Sequence, residues 1–419
     1  MTILLKKPTT SQPNIPDIFL PENKSIINRI LLLSAYAGEP IIKHYEKESE
    51  DTALMEILLR KLALHTNKNQ IFTVDCDNAG SVLRFLGYYV AFKGGKYLLT
   101  GSKRMQQRPL SGMDKILQTL GAKVTPAGAQ GFPPVFIESE GLKGGTIEIT
   151  NYTSGQPISG ALMVAPLLKD GLVIQYDNPL PGAPYIQLTI ALMRKAGIHI
   201  AEAQNKIIVK PGQYNIEETT VEKDWSAAAF WYEYAAMAAK NTTIRLPGLS
   251  HASIQGDKIT SQLFEKLGVS SFETSDAIII KNIGRVNNSI EADFYHYPDL
   301  FPAFLTACAT LNIRARLTGV QNLKHKESNR IITMTQQLQS VGFGIDIVSA
   351  NETRTTGTNH LKKGHWKFVS YDDHRIAMAL APLALINNVT IANESVVKKS
   401  YPGFWQECRK LFNVSLTEK

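Results

Sequence analysis

The sequence is poor in cysteine and has no long apolar stretch. The three cysteines, Cys76, Cys308 and Cys408, include no pair with C-x-x-C spacing, so neither a disulfide framework nor a zinc knuckle is supported. The longest uncharged apolar run, residues 376–386, falls well short of the roughly 20 residues that a membrane helix needs. The apolar stretch before Lys6 and Lys7 is too short for a signal peptide. We therefore expect a cytoplasmic protein with reduced thiols and no membrane partner.

Common nucleotide and metal motifs are also missing. The chain contains neither G-x-x-x-x-G-K-[ST] nor G-x-S-x-G, and the glycines of VGFGID follow a helix rather than a strand. No pair of histidines has helical metal-ligand spacing with a carboxylate. We expect no cofactor and no metal. The 45 Lys and Arg against 37 Asp and Glu give a net charge of +8, which indicates anionic partners such as phosphorylated metabolites, nucleic acid or a membrane surface.

A pattern of amphipathic helix, turn glycine and short β-branched strand recurs along the chain. Its helices carry apolar residues at i, i+3, i+4 and i+7, and the glycine supplies a left-handed helix end. The turn residues are Gly121, Gly197, Gly268 and Gly342, with weaker copies that end near Leu64 and turn at Asn413. A period of about 70 residues predicts a βαβ-type subdomain used about six times. A glycine between a helix and a strand is also common in α/β proteins that have no repeat. The pattern therefore has two interpretations, a repeated subdomain or ordinary helix ends.

The polar segment of residues 209–226 suggests a division near the middle of the chain. Asp224 or Ser226 can cap an Ala-rich, aromatic helix predicted over Ala227–Lys240. Three copies of the repeat would lie on each side of this division. No low-complexity segment or long flexible linker is present.

Basic residues recur where loops lead into helices in the first 110 residues. Lys24 and Ser25 stand just ahead of an apolar helix, with Arg29 one turn in. A helix N-terminus offers unpaired N–H groups and partial positive charge, so these cations would complete an anion site. Residues 78–81 start another helix, followed by Arg84, and Gly80 allows a ligand to approach the backbone closely.

A third basic group, Arg104 and Arg108, precedes a helix predicted to open at Pro109. Each group alone can be read as capping residues with a surface cation. Three such groups near the start of the chain favour binding of an anion.

The second half adds acidic side chains to this chemistry. Asp299 precedes a long apolar helix, where a carboxylate is either a helix cap or a general base held against a buried site. Further charged groups stand at helix starts: Asn322, Lys326, Glu327 and Arg330; Asp372, Asp373, His374 and Arg375; and Lys399 with Ser400. Each can be a solvated face, but together they favour chemistry on a small polyanion.

Nine short segments of the chain, most of them described above, follow one another in the order of a known motif series. They are KSIINR (24–29), NAGSVLR (78–84), RMQQRPL (104–110), PYI (184–186), QGD (255–257), PD (298–299), KESNR (326–330), DHR (373–375) and KSYPG (399–403). The series resembles that of the 5-enolpyruvylshikimate-3-phosphate synthases, or 3-phosphoshikimate 1-carboxyvinyltransferases. The resemblance extends from about residue 20 to residue 405.

The resemblance implies an α/β fold of two similar domains, each an inside-out α/β barrel of three βαβαββ-type repeats. The first domain would span residues 22–220, and residues 1–21 and 221–419 would form the second. The active site would lie in the cleft between them. The implied enzyme transfers the enolpyruvyl group of phosphoenolpyruvate to the 5-hydroxyl of shikimate-3-phosphate. Independently of the resemblance, we expect a cytoplasmic monomer that acts on small molecules and not on nucleic acid.

The resemblance also assigns roles residue by residue. The implied substrate-binding residues are Lys24, Ser25, Arg29, Asn78, Gly80, Arg108, Ser154, Gln156, Tyr185, Asp299, Asn322, Lys326, Arg330, Arg375 and Lys399. The implied catalytic residues are Asp299 as base, helped by Lys326, and Glu327 with Lys24 or His374 as proton donors. Which acid or base serves which proton stays open.

Three positions depart from the family pattern. Gly155 and Gly182 stand where the family has serines, so two phosphate-binding hydroxyls are missing, each worth about 0.5–1.5 kcal/mol. Asp77 stands where the family usually has glycine and adds a negative charge beside an anion site. An alternative is therefore a divergent paralogue that binds a phosphorylated ligand with weak or altered activity.

The sequence disfavours two other functions. The related transferase that acts on UDP-N-acetylglucosamine usually has a cysteine in its mobile loop, which the stretch from Arg104 to Arg108 lacks. A nucleic-acid-binding protein is disfavoured because the basic residues stand at separate helix starts and not in a stripe with aromatic residues.

Overall fold

Short strands alternate with helices along the chain in the computed structural model, which describes residues 1–8, 15–39, 49–150, 152–177, 180–217, 220–358 and 360–417. The strands are β1 (Thr2–Lys6), β2 (Ile71–Asp75), β3 (Gly95–Thr100), β4 (Lys123–Pro126), β5 (Val135–Ser139), β6 (Gly145–Ile149), β7 (Leu172–Tyr176), β8 (Ile200–Ala203), β9 (Lys206–Val209), β10 (Thr243–Pro247), β11 (Val269–Glu273), β12 (Ala277–Asn282), β13 (Ser289–Asp293), β14 (Arg314–Thr318), β15 (Phe343–Ser349), β16 (Glu352–Thr358), β17 (Trp366–Val369), β18 (Val389–Ala392) and β19 (Asn413–Thr417). The helices are α1 (Lys24–Ala37), α2 (Glu50–Leu64), α3 (Gly80–Lys93), α4 (Met113–Thr119), α5 (Gln156–Val164), α6 (Ala183–Lys195), α7 (Trp225–Met237), α8 (Thr260–Glu265), α9 (Phe301–Thr310), α10 (Arg330–Gln339), α11 (His374–Leu380) and α12 (Phe404–Cys408).

Three four-stranded sheets repeat one βαβαββ pattern. In each, two strands joined through a helix pair in parallel, and after a second helix an antiparallel hairpin completes the sheet. The strand orders are β2-β3-β5-β4, β6-β7-β9-β8 and β13-β14-β16-β15. The predicted helix–turn–strand repeat is therefore a real structural unit at these three places.

Two further sheets vary the pattern. In the order β17-β18-β1-β19, strand β1 lies between β18 and β19 and pairs antiparallel with both. The remaining described sheet has three strands in the order β10-β12-β11. The protein is thus an α/β protein with several small sheets, and none of the described sheets closes into a barrel.

The described residues form two compact units. One comprises the described residues of Met1–Asn23 and Glu222–Lys419 together with Ser49, and the other those of Lys24–Tyr45 and Glu50–Val221. Each unit has its own hydrophobic core. In the first unit α9 and α11 are buried on all sides, whereas β13 alternates exposed and buried residues. Helices that are apolar all round lie inside, and sheets with one polar face lie outside.

The predicted helix ends are correct at the four turn glycines. Gly121, Gly197, Gly268 and Gly342 have φ between 83° and 107°, the left-handed region that favours glycine. The copy at Asn413 is wrong, because Asn413 does not have a positive φ and is the first residue of β19, paired with Lys6.

Two predicted helix starts also need correction. No helix opens at Pro109: a 3-10 turn covers Met105–Gln107, Leu110 donates its N–H to the Gly131 carbonyl, and α4 begins only at Met113. The Ala-rich helix begins at Trp225 and ends at Met237, and its cap is Asp224, which accepts from the Ser226 N–H. Among the described helices, none combines the length and the apolar character needed to cross a bilayer.

Candidate active site

Arg330, the first residue of α10, is the centre of a buried ion cluster in the unit that contains the C-terminal half. Its Nη1 lies 2.7 Å from Asp299 Oδ1, its Nη2 lies 2.8 Å from Glu327 Oε2, and its Nε lies 2.8 Å from Asp373 Oδ2. Only 1% of the Arg330 side chain is exposed. Because a buried charge is costly unless it is paired, three carboxylates around one guanidinium fix that side chain firmly.

Asp299 is shared among three cations of this cluster. Besides Arg330, its carboxylate contacts Arg375 Nη2 at 3.0 Å and Lys326 Nζ at 3.4 Å. Burial would favour the neutral acid, but Arg375, Lys326 and Arg330 outweigh it and hold the pKa of Asp299 well below its usual range. The N-cap position of α9 is Leu300 and not Asp299. The carboxylate is therefore ionised and directed at the cations.

Lys326 and Asp373 complete the cluster in different ways. Burial lowers the pKa of Lys326, Arg330 and Arg375 add to the effect, and Asp299 opposes it. Asp373 is fully buried and caps α11 by accepting from the Arg375 N–H at 3.0 Å. It also accepts from the Ser328 hydroxyl at 3.0 Å. Asp373 thus ties the start of α11 to the start of α10.

Asp257 is a further buried carboxylate near this cluster. Asp257 accepts a hydrogen bond from the Ser226 hydroxyl at the start of α7. Burial and the negative charge of Asp299 raise the pKa of Asp257 to about 7, while Ser226 and Arg375 limit the rise. Burial and the nearby negative charge thus favour the neutral form of the Asp257 carboxyl.

Three other predicted residues lie on elements next to the cluster. His374 is buried in the first turn of α11, with its Nδ1 3.8 Å from Asp373 Oδ1. Lys399 is buried at the end of a 3-10 turn, Glu394–Lys399, that packs against α11. Asn322 is half-buried on the turn Gln321–His325, and its side chain makes no polar contact with any described residue.

Arg29 holds together three helix starts in the other unit. Its Nε donates to Thr189 Oγ1 at 2.7 Å, and its Nη2 donates to Ser159 Oγ at 3.4 Å and to the Tyr185 carbonyl at 3.3 Å. Burial lowers the pKa of Arg29 to about 10, so the guanidinium keeps its charge at neutral pH. The first turns of α1, α5 and α6 therefore meet around one buried cation.

Lys24 and Ser25 are the first two residues of α1 rather than the residues just ahead of it. Lys24 Nζ pairs with Asp51 Oδ2 at 2.7 Å, a contact within the same unit. The Ser25 carbonyl accepts from Arg29 Nη1 at 2.8 Å.

Two arginines converge on Gly80 at the start of α3. Arg108 Nη1 donates to the Asn78 carbonyl at 3.0 Å, and Arg84 Nη1 donates to the Gly80 carbonyl at 3.0 Å and to Gln156 Oε1 at 2.9 Å. A Cβ atom on Gly80 would lie 2.7 Å from Arg108 Nη2 and 2.9 Å from Arg84 Nη1. Only glycine lets both guanidiniums approach this helix start, which is typical of an anion site.

The structure around Ser154 explains two of the positions that depart from the family pattern, Gly155 and Gly182. Gln156 donates its N–H to Ser154 Oγ at 3.2 Å, and Tyr185 is half-buried at the start of α6. A Cβ on Gly155 would lie 2.7 Å from the Pro181 carbonyl oxygen, and Gly182 has φ +64°. The absence of a side chain at Gly155 and Gly182 therefore lets the two backbone segments that contain them approach each other closely.

The third departure, Asp77, has φ +42°. Glycine adopts this left-handed region at no steric cost, and Asp is one of the few other residues that tolerate it. The Asp77 carbonyl accepts from the Ser102 N–H at 3.0 Å, which fixes the loop ahead of α3.

Sequence reasoning missed the acidic and hydroxyl partners of the predicted cations. They are Asp51, Ser159, Thr189 and Asp257. Asp257 had a signal, since it belongs to the QGD segment, whereas Asp51 had none.

Together these observations define an α/β protein with two charged clusters at helix starts, each able to bind anionic groups. The family described as EPSP synthase (3-phosphoshikimate 1-carboxyvinyltransferase) matches residues 16–408. A 3-phosphoshikimate 1-carboxyvinyltransferase of Bacteroides fragilis (strain YCH46) is 34% identical over 423 residues, covering 100% of both chains. One of Sulfurovum sp. (strain NBC37-1) is 30% identical, covering 93% of this chain and 95% of its own.

The fold is also similar to a solved EPSP synthase structure from Acinetobacter baumannii, with a TM-score of 0.75, 21% identity, and coverage of 99% and 100% of the two chains. The chain belongs to the EPSP synthase family.

Proposed function

We propose that this chain is a transferase that moves the enolpyruvyl group of phosphoenolpyruvate to the 5-hydroxyl of shikimate-3-phosphate and releases phosphate, a step of aromatic amino-acid biosynthesis. Family membership and the names of the full-length relatives support this reaction. The observation that carries it is Asp299, an ionised carboxylate that contacts Arg330, Arg375 and Lys326 at once. This arrangement offers a base next to cations that can take up the charges of the substrates.

The charge balance of the reaction explains the number of cations. The two substrates together bear two phosphates and two carboxylates, and bringing them together costs Coulomb repulsion that fixed cations must offset. The proposed binding residues with positive charge are Lys24, Arg29, Arg108, Lys326, Arg330, Arg375 and Lys399. Arginine is suited to this role because its planar guanidinium binds carboxylate and phosphate with two parallel hydrogen bonds.

Asp299 is the proposed general base for the attacking hydroxyl. In the described structure its three cations disfavour protonation, as its lowered pKa shows. Anionic substrates that draw Arg375 and Lys326 away would remove part of this stabilisation and raise the proton affinity of Asp299. The base would thus become effective when the substrates are bound.

Proton donors are needed at the methylene carbon of phosphoenolpyruvate and at the departing phosphate. Glu327, Lys24 and His374 are the proposed candidates. Glu327 is held by Arg330 at 2.8 Å, which fixes its direction. Addition of the hydroxyl oxygen, with a proton delivered to the methylene carbon, gives a tetrahedral adduct. Loss of phosphate together with one proton of the new methyl group gives the enol ether.

The finer architecture is part of the proposal. The buried helices α5 and α9 and the one-sided strands β5 and β13, one of each in either unit, support an inside-out α/β arrangement of three repeats per domain. Residues 22–220 would form one domain and residues 1–21 and 221–419 the other, with both contributing substrate-binding residues. We place the enzyme in the cytoplasm as a monomer that binds neither nucleic acid nor membrane.

The function is tested by measuring phosphate release from phosphoenolpyruvate with shikimate-3-phosphate and, separately, with UDP-N-acetylglucosamine as acceptor. We expect release only with shikimate-3-phosphate. Release only with the nucleotide sugar would assign the chain to the related transferase. Calorimetric binding of shikimate-3-phosphate without turnover would support the divergent paralogue that Gly155 and Gly182 suggest.

A further inference from the structure

The outer face of the sheet β13-β14-β16-β15 has a cavity that the proposed reaction does not use. It has a volume of about 670 Å³ and is lined by residues of three adjacent strands, among them Ser289, Glu291, Arg314, Arg316, Arg354 and Thr356. This volume lies within the range of small-molecule sites. Three of these six side chains are arginines and two are hydroxyl-bearing.

A break in the strand pairing creates the cavity. The pairing of β14 with β16 extends from Arg316, opposite Arg354, to Thr318, so that Arg314 lies outside the paired stretch. On the other side of that pair, the Ala315 N–H donates to the Thr355 hydroxyl at 2.7 Å. The two strands therefore separate where the cavity lies.

A β-bulge marks the same place on the neighbouring pair. Gly344 pairs with Gly357 and Ile345 pairs with Thr355, so Thr356 is the extra residue of β16. Bulges redirect side chains and are over-represented next to functional sites. The irregularities on both sides of β16 coincide at Thr355 and Thr356.

The charges of the cavity are unequally compensated. Arg316 and Arg354 stand directly opposite each other, a destabilising like-charge pair, and Glu352 contacts both, Arg316 at 3.0 Å and Arg354 at 2.5 Å. Arg314, by contrast, forms no ion pair or side-chain hydrogen bond with any residue in the described part of the chain. Its guanidinium and the opening beside it are available to an anion.

We propose that this cavity is a second anion site, which binds a small molecule with a diphosphate or similarly adjacent pair of anionic groups. Arg314 provides the main contact through its planar fork of donors, and Arg316 and Arg354 provide the second positive region. Glu291, which lies 3.7 Å from Arg316 at the rim, opposes binding by its charge.

The test uses inorganic pyrophosphate as the probe, titrated calorimetrically into the full-length protein. Arg314→Ser should weaken binding at this site at least tenfold or abolish it, whereas Glu291→Gln should strengthen it several-fold. Arg409→Ser, which removes one exposed arginine of the same unit outside the cavity, is the matched control and should bind like the unmodified protein. Phosphate release from phosphoenolpyruvate should be unchanged in all three variants.

Pyrophosphate can also bind the substrate residues, so the comparison among variants decides the result. Titration curves that are the same for the unmodified protein, Arg314→Ser and Glu291→Gln would overturn the proposal. An equal loss of binding in Arg314→Ser and Arg409→Ser would do so too, since it would reflect net charge alone.

Discussion

Arg330 and Asp299 are joined by a 2.7 Å ion pair between the first residue of one helix and the residue two positions before another. The same Asp299 carboxylate contacts Arg375, and the same Arg330 guanidinium contacts Asp373. The starts of α9, α10 and α11 are therefore linked through a shared set of charges. A change at any of these residues affects the orientation of the others.

Asp299→Asn should reduce turnover by about 10²–10⁴-fold, because the amide keeps the shape of the side chain but cannot accept a proton. Binding of shikimate-3-phosphate, measured by calorimetry, should remain detectable. Asp346→Asn, at an exposed position of the same unit, is the control and should keep full turnover. Retention of turnover within tenfold in Asp299→Asn would contradict its role as base.

Asp373→Asn should lower the free energy of unfolding by about 3–5 kcal/mol, because it breaks a fully buried ion pair and leaves Arg330 partly uncompensated. Urea unfolding measures this difference. The adjacent exposed residue provides the control, since Asp372→Asn should change stability by no more than about 0.5 kcal/mol. Equal effects of the two substitutions would mean that Asp373 does not anchor the cluster.

Gly80→Ala should raise the KM for phosphoenolpyruvate at least tenfold, because the added methyl group displaces Arg108 and Arg84 from the start of α3. Its effect on stability should be small, since alanine favours the helix. Gly212→Ala is the control, because a Cβ there makes only an ordinary contact, at 3.6 Å. An unchanged KM in Gly80→Ala would show that the two guanidiniums do not position this substrate.

Glu233→Gln should make stability less dependent on pH. Glu233 is fully buried in α7, and burial raises the pKa of its carboxyl well above the usual 4.5. The folded protein therefore holds a proton that the unfolded chain has released, so the wild type loses stability as the pH rises above the unfolded pKa. The slope is at most about 1.4 kcal/mol per pH unit.

The check on Glu233 is the free energy of unfolding of both proteins from pH 5 to pH 8. The free energy of unfolding of Glu233→Gln, relative to that of the wild type, should increase with pH across this window. Parallel curves would show that Glu233 keeps an ordinary pKa, for example through a contact with water.

The helix ends were predictable from sequence because they depend on local chemistry. Gly121, Gly197, Gly268 and Gly342 take the positive φ that their position after a helix requires. The prediction of a helix end at Asn413 is wrong because a distant interaction overrides the local preference. The pairing of Asn413 with Lys6 makes it part of a strand. The prediction of a helix start at Pro109 is wrong for a similar reason, since the hydrogen bond from the Leu110 N–H to the Gly131 carbonyl keeps this segment from forming a helix.

The predicted cations stand at helix starts as expected, but their partners could not be predicted from spacing. Asp373 lies 43 positions from Arg330 and Asp51 lies 27 positions from Lys24. Such pairs depend on how helices from separate repeats are placed side by side. Local sequence patterns indicate which residues are charged but not which carboxylate each one meets.

The position of β1 between β18 and β19 has a consequence for biosynthesis. Thr2–Lys6 leave the ribosome long before their partners, Val389–Ala392 and Asn413–Thr417. The unit that comprises the described residues of Lys24–Tyr45 and Glu50–Val221 can fold while translation continues. The other unit cannot complete this sheet until Asn413–Thr417 have been synthesised, so β1 lacks these two partner strands in the meantime, a period in which a chaperone can bind it.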